Sequence, residues 1–312
     1  MAPTVGISGL GIMGSAMATN LARAGFRVLG YDPRPSARRV LGRAGGTALG
    51  SNAALARRCD TIITSLPSAD ALESVSRELA GAARRGLTVI ETSTLPIEVK
   101  ERGRRVLARA GATLLDCPLS GTGAQARTKD LAVYASGPRA AVRSAVPVFE
   151  GFARAHYYVG PFGAGSKMKF VANLLVAIHN VSAAEAFVLA MKAGLDPQLV
   201  YKVVGDGAGG SRMFQVRGPL MVRGDYRDAT MKVEVWQKDM AIIGDYARAL
   251  GCPTPLFLAS APFYTAALAA GRGNEDTAAV CAVLEGMAGL RTRPARRGRS
   301  PRNARSPRAR TR

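Results

Sequence analysis

The sequence predicts an α/β chain, with a doubly wound parallel sheet over its first half and an all-helical part over its second. Short β-branched runs alternate with three- and four-residue apolar spacing up to about residue 163, strand-like runs stop after residue 164, and turn clusters punctuate the remainder.

Taken in order, TVGISGL (residues 4–10) reads as a first strand, and a helical pattern of about a dozen residues follows its glycines. RVLGYD (27–32), TIITSLP (61–67) and LTVIETS (87–93) are the next strands, and an amphipathic stretch follows each. ATLLDCPLS (112–120), LAVYASG (131–137) and HYYVG (156–160) complete the set. The boundary is expected near GPFGAG (160–165), giving the doubly wound domain over 1–163 and an all-helical domain over 164–290. Within the latter, AGLDPQ, GDGAGGSR, RGDYRDA and LGCPTP separate the helices.

Composition narrows the class. At 312 residues and 47% hydrophobic content the chain can bury the cores of about two domains. The most apolar stretch, 171–195, is interrupted by Asn173, His179, Asn180, Glu185 and Lys192, so no membrane span is expected. The first residues lack a positive n-region, and a cytoplasmic protein is expected. Cys59, Cys117, Cys252 and Cys281 lack any paired spacing and read as packing residues, and with only His156 and His179 no metal site is expected. Ten arginines lie in residues 291–312, so the net charge of +21 falls to +11 over the first 290 residues. That arginine-rich tail is expected to be disordered. It holds no aromatic residue to stack on bases, so a solvated extension is expected rather than a nucleic-acid arm.

The glycines at Gly9, Gly11 and Gly14 follow a predicted strand and open a predicted helix, the setting a dinucleotide fingerprint requires. The first glycine makes the tight turn, the second admits the pyrophosphate, and the third lets helix and strand pack closely. With Ile12 and Met13 between them, these residues would place the phosphates on helix N-terminal amides. Asp32, 18 residues past Gly14, stands where a carboxylate accepts ribose hydroxyls and repels a 2′-phosphate. NAD is therefore expected, with NADP left open because Arg34, Arg38 and Arg39 follow at once. The first domain is accordingly expected to be of the Rossmann type.

Six motifs in order, GLGIMGSAMATNL, ITSLPSADALESV, ETSTLPIE, DCPLSGTGAQARTKDL, GAGSKMKFVANLL and WQKDM, resemble the β-hydroxyacid dehydrogenases. That group includes 3-hydroxyisobutyrate dehydrogenase, tartronate semialdehyde reductase and 6-phosphogluconate dehydrogenase-like proteins. The resemblance covers about residues 4–287. It implies hydride transfer between a nicotinamide cofactor and a short 3-hydroxy acid, or its semialdehyde or keto acid, by a homodimer or homotetramer. It also implies catalysis by Lys169 with Asn173, whose spacing of four puts both on one helical face, whereas Lys167 points about 200° away.

A lysine suits the task if its pKa falls, since some group must take the hydroxyl proton. The resemblance places Lys238 near the cofactor, where it would disfavour charging of Lys169. It assigns the substrate carboxylate to Ser120, Gly121 and Thr122, and the nicotinamide half of the cofactor to the backbone of Leu66, Pro67 and Thr94. The chain departs from the family pattern at Thr122 and at Lys129, where glycines are usual. Two other readings remain: a catalytically inactive dehydrogenase-like scaffold with a nucleic-acid-binding tail, and an imine reductase-like enzyme, although those relatives replace the lysine.

Overall fold

A computed structural model describes residues 2–290, and the arginine-rich segment 291–312 lies outside the described residues. The first half alternates as expected: β1 (Thr4–Ser8), α1 (Ile12–Arg23), β2 (Arg27–Tyr31), α2 (Pro35–Arg43), β3 (Thr47–Ala48), α3 (Asn52–Ala56), β4 (Thr61–Thr64), α4 (Ala69–Ala80), β5 (Thr88–Glu91), α5 (Ile97–Arg109) and β6 (Thr113–Asp116). There follow β7 (Leu119–Ser120), α6 (Gly123–Arg127), β8 (Ala132–Ser136), α7 (Arg139–Phe152) and β9 (Ala155–Gly160).

The strands order as β3-β2-β1-β4-β5-β6-β8-β7, with β9 beside β8. The pairs from β3 to β6 are all parallel, and the order reverses about β1, which lies between β2 and β4. Crevices at the carboxyl ends of strands at such a reversal are where doubly wound sheets bind ligands. Strands covered on both faces read as continuous apolar runs. Ile62 and Ile63 show why: both are fully buried, yet Ile62 joins a cluster with Leu55, Leu79 and Leu107 while Ile63 joins Met17, Leu21 and Phe149 on the opposite face.

The sheet differs from the expectation in two places. It is not parallel throughout, because β8 runs antiparallel to β6 and β7. The connection from β6 to β8 carries only β7 and the five-residue α6, too little for the usual helical crossover. The edge strand β3 has two exposed residues and no apolar alternation, so nothing in its sequence marks it.

The helical half contains α8 (Ala164–Lys192), α9 (Pro197–Asp206), α10 (Arg212–Arg223), α11 (Val233–Ala249), α12 (Pro255–Ala269), a 3-10 turn at Thr277–Ala279 and α13 (Val280–Met287). The turn clusters supply its caps. The carboxylate of Asp196 accepts from the Gln198 amide before Pro197 at the helix start, Ser211 Oγ accepts from Phe214, and Gly224 ends α10 in the left-handed region. Contacts divide the chain into two units, one of Met1–Ile178 with Thr230–Pro262, the other of His179–Ala229 with the residues from Phe263 onward. The division runs through α8, whose first half groups with the sheet together with all of α11.

In the second unit Phe187 and Phe214 stack at 5.0 Å, and the buried Arg217 Nε donates to Asp276 Oδ1 at 3.1 Å. By length and composition α8 is apolar enough to cross a membrane. Two of its interruptions are nonetheless bonded within the protein: the Asn180 amide donates to Tyr264 Oη and to the Thr277 carbonyl, and the Asn173 amide to Asp239. Cys59, Cys117 and Cys281 are buried as packing residues, while Cys252 is exposed at the turn before α12 and corrects that reading.

The first unit also encloses an ion cluster. Lys100 Nζ, on the apolar face of α5, lies 2.6 Å from Glu91 Oε2 and 2.8 Å from Asp116 Oδ1, and donates to the Ser93 carbonyl at 2.6 Å. All three charged residues are fully buried. Although burial opposes charging of the amine, the Asp116 and Glu91 carboxylates prevail and hold its pKa above the ordinary lysine value. Lys100→Met removes the cation and leaves two carboxylates without it. Urea unfolding is expected to show a loss of about 3–5 kcal/mol, and an unchanged midpoint would contradict the pairing.

Candidate active site

The glycine turn lies between β1 and α1, at the reversal of strand order. Gly9 has φ +90°, and a Cβ there would stand 2.2 Å from the Ser65 carbonyl oxygen, at the end of β4. A Cβ on Gly14 would stand 1.9 Å from the Gly9 oxygen, so both positions exclude any side chain. Gly11 differs: the nearest atom to its would-be Cβ is Arg34 Nη2 at 3.9 Å. That open side, with no side-chain cap on α1 and no acid in its first turn, fits a pyrophosphate on the helix amides. Ile12 is 68% exposed at the same turn, while Met13 packs against the core.

Asp32 is buried at the end of β2. Its Oδ2 accepts from the Leu10 amide at 2.8 Å, and Oδ1 accepts from the Arg34 amide and Nε at 2.9 and 3.0 Å. Burial alone would raise its pKa, but the Arg34 side chain and the two amides outweigh that and hold the carboxyl below the usual range. Arg34 is thus drawn onto Asp32, and Arg38 Nη1 donates to the Asp32 carbonyl at 2.6 Å.

Further along the same strand ends, the Leu66 amide donates to Ser93 Oγ at 2.8 Å, and Pro67 follows it into the loop. The Thr94 carbonyl accepts from Lys238 Nζ at 2.8 Å, tying the loop after β5 to α11. Ser120 ends β7, Gly121 has φ +129°, and the Thr122 amide at the start of α6 donates to Gln125 Oε1 at 3.0 Å. A Cβ on Gly123 would lie 2.5 Å from Ile12 Cγ2, which sets this loop against the nucleotide turn. Lys129 has φ +62°, the left-handed region that explains why a glycine is usual at this position.

Lys169 lies on α8, partly exposed, with Lys167 exposed on another face. Asn173, one turn later, is buried, and its Nδ2 donates to Asp239 Oδ2 at 2.9 Å. Asp239 Oδ1 is 3.6 Å from Lys238 Nζ. The rings of Phe170 and Tyr246, 5.1 Å apart, hold α8 to α11. The Lys169 amine is lowered from the ordinary lysine pKa chiefly by desolvation; Asp239 opposes this, while Lys238 and Lys100 add to it. Burial also raises the Asp239 carboxyl, against the lysines and Asn173.

The structure therefore brings Gly9, Leu66, Thr94, Lys238 and Asn173 onto one path of contacts, through Ser65, Ser93 and Asp239. Sequence reasoning missed Asp239 on this path, and Lys100, which donates to the Ser93 carbonyl beside it. Asp239 is adjacent to Lys238, and only the fold shows that it meets Asn173. Lys100 had a local signal, since with Val99, Gly103 and Leu107 it occupies the apolar face of its helix.

Family models match both halves of the chain: the NAD binding domain of 6-phosphogluconate dehydrogenase over residues 4–160, and the NAD-binding domain of NADP-dependent 3-hydroxyisobutyrate dehydrogenase over 163–284. An L-threonate dehydrogenase of Cupriavidus necator is 36% identical over 291 residues, covering 92% of this chain and 98% of that protein. A crystal structure of 3-hydroxyisobutyrate dehydrogenase from Salmonella typhimurium is 33% identical and superposes with a TM-score of 0.82, covering 90% of this chain and 99% of that one. The Mycobacterium tuberculosis 3-hydroxyisobutyrate dehydrogenase with L-serine is 29% identical, with a TM-score of 0.83 over 91% of this chain and 99% of that one. With its nucleotide turn at the strand reversal and both halves matched, the chain belongs to the β-hydroxyacid dehydrogenase family and is an NAD(P)-dependent oxidoreductase of short hydroxy acids.

Proposed function

We propose that Lys169 is the acid–base residue of this dehydrogenase, that Asn173 orients the reacting hydroxyl, and that Ser120, Gly121 and Thr122 receive the carboxylate of a short 3-hydroxy acid. The observation that carries this reading is the desolvated Lys169 amine one helical turn from an Asn173 already held by Asp239. A bound nicotinamide supplies hydride transfer. The neutral Lys169 amine takes the hydroxyl proton when the alcohol is oxidised, and the ammonium returns it when the carbonyl is reduced. Asn173, with one Nδ2 hydrogen on Asp239, keeps the other to donate to the oxygen of the reacting hydroxyl or carbonyl, while the hydroxyl proton faces Lys169. Thr122 adds a side chain where the family pattern has none, which favours a compact substrate with a hydroxyl of its own. L-Threonate, named in the Cupriavidus relative, is such an acid.

NAD is the preferred cofactor in this reading. The Asp32 carboxylate is kept ionised where a 2′-phosphate would approach, and Arg34 is neutralised by it. A homodimer or homotetramer in the cytoplasm completes the proposal. Support for self-association comes from Met168, Val171 and Leu175, an exposed apolar stripe at helical spacing on α8.

Lys169→Met is expected to lower kcat about 10²–10⁴-fold while NADH binding, followed by fluorescence titration, stays unchanged; full activity would reject the assignment. Oxidation should rise with pH through the Lys169 pKa, which lies below that of a free lysine. Asp239→Asn removes the anion that favours charging and should move this limb to lower pH, whereas Lys238→Met should move it to higher pH, both read from pH–rate profiles. Replacing Asp32 by Ser should raise the NADP-to-NAD ratio of kcat/KM by about tenfold, the factor that about 1.4 kcal/mol of removed repulsion produces.

A further inference from the structure

We propose that Lys100, through Asp116, positions Lys169 by fixing the first turn of α8. The inference rests on the acid–base reading of Lys169 and concerns residues which themselves touch neither substrate nor cofactor. A helix begins with amide groups that have no partner inside it. On α8 the Gly165 amide donates to Ser136 Oγ at 2.9 Å and the Ser166 amide to Asp116 Oδ2 at 2.8 Å. The Ser166 hydroxyl donates to Asp116 Oδ1 at 2.9 Å. A buried carboxylate at a helix N-terminus is also favoured by the helix dipole. The docking leaves no slack: a Cβ on Gly165 would stand 2.5 Å from the backbone carbonyl oxygen of Asp116 and 2.6 Å from that of Tyr134.

Lys169 follows Ser166 by three residues and Gly165 by four, so it stands over the anchored turn on the same side of the helix. Any rotation or slide of that turn displaces the amine directly. Lys100 holds the other end of the anchor. Its ammonium binds Asp116, Glu91 and the Ser93 carbonyl, and Ser93 is followed by Thr94, to which Lys238 is bonded. One cation thus ties the helix bearing Lys169 to the loop bearing the contact of the second lysine. A well-packed apolar trio in the same space would stabilise the fold at least as well, because three buried charges carry a large desolvation cost. The geometry that the charges impose is what an apolar trio would not supply. Lys100 also lies close enough to act on the Lys169 amine, in the direction that disfavours its protonation.

The test uses the full-length protein with Ser166→Ala and the double variant Ser136→Ala/Ser166→Ala, which weaken the anchor while keeping the ion cluster. Folding is followed by circular dichroism, and NADH affinity by fluorescence. Turnover uses whichever of L-threonate and 3-hydroxyisobutyrate the wild type oxidises faster. The readout independent of turnover is the pH dependence of Lys169 acetylation by trace acetic anhydride, measured by mass spectrometry. The expected result is a folded double variant with wild-type NADH affinity and KM, kcat lower by about ten- to a hundredfold, and a Lys169 acetylation midpoint moved upward as the amine gains solvent. A folded double variant with wild-type kcat and acetylation midpoint overturns the proposal. Failure of the acid–base reading shows separately, as full activity of Lys169→Met, and the acetylation midpoint still decides whether the anchor sets the environment of the amine.

Discussion

The ammonium of Lys100 can be charged in the interior only while Glu91, Asp116 and the Ser93 carbonyl surround it, and the architecture of the first unit follows from meeting that condition. Its partners lie at the carboxyl ends of β5 and β6 and in the loop beyond β5, and Asp116 in turn takes the first turn of α8. An unpaired charge at this depth would cost several kcal/mol. The relative placement of two strands and two helices is therefore set by an electrostatic requirement as much as by apolar packing.

A second constraint, purely steric, acts at the strand reversal. The chain must turn from β1 into α1 within a space bounded by the Ser65 and Gly9 carbonyl oxygens, which only Gly9 and Gly14 allow. Gly11 is under no such pressure, and its open side is what a pyrophosphate requires. Asp32 links this turn to the proposed preference for NAD. The same carboxylate accepts the Leu10 amide, steadying the loop, and draws in Arg34, the nearest side chain to the open face of Gly11. The proposed cofactor preference and the loop geometry thus share one side chain.

Around Lys169 the influences are opposed. Desolvation, Lys238 and Lys100 favour the neutral amine, and Asp239 favours the charged one. The acid–base role proposed for Lys169, taking and returning a proton, would benefit from such a balance. Asp239 also fixes the Asn173 amide, so the residue that tempers the lysine pKa orients its neighbour. Lys238, anchored to the Thr94 carbonyl, places the second positive charge in a defined position instead of leaving it to solvent.

By itself the sequence determined whatever depends on neighbours within one or two turns of chain. The alternation of strands and helices, the glycine spacing before α1, the Asp32 position and the shared face of Lys169 and Asn173 all follow from local periodicity and backbone sterics. The caps at Asp196 and Ser211 are of the same kind. Only the tertiary structure decided that Asn173 meets Asp239, 66 residues away, that β8 turns antiparallel, and that α8 is shared between two compact units. The same holds for the meeting of Glu91, Lys100 and Asp116. Helical spacing puts Lys100 on the apolar face of its helix, but it does not name the two carboxylates, because strand order and helix docking bring them together and not spacing.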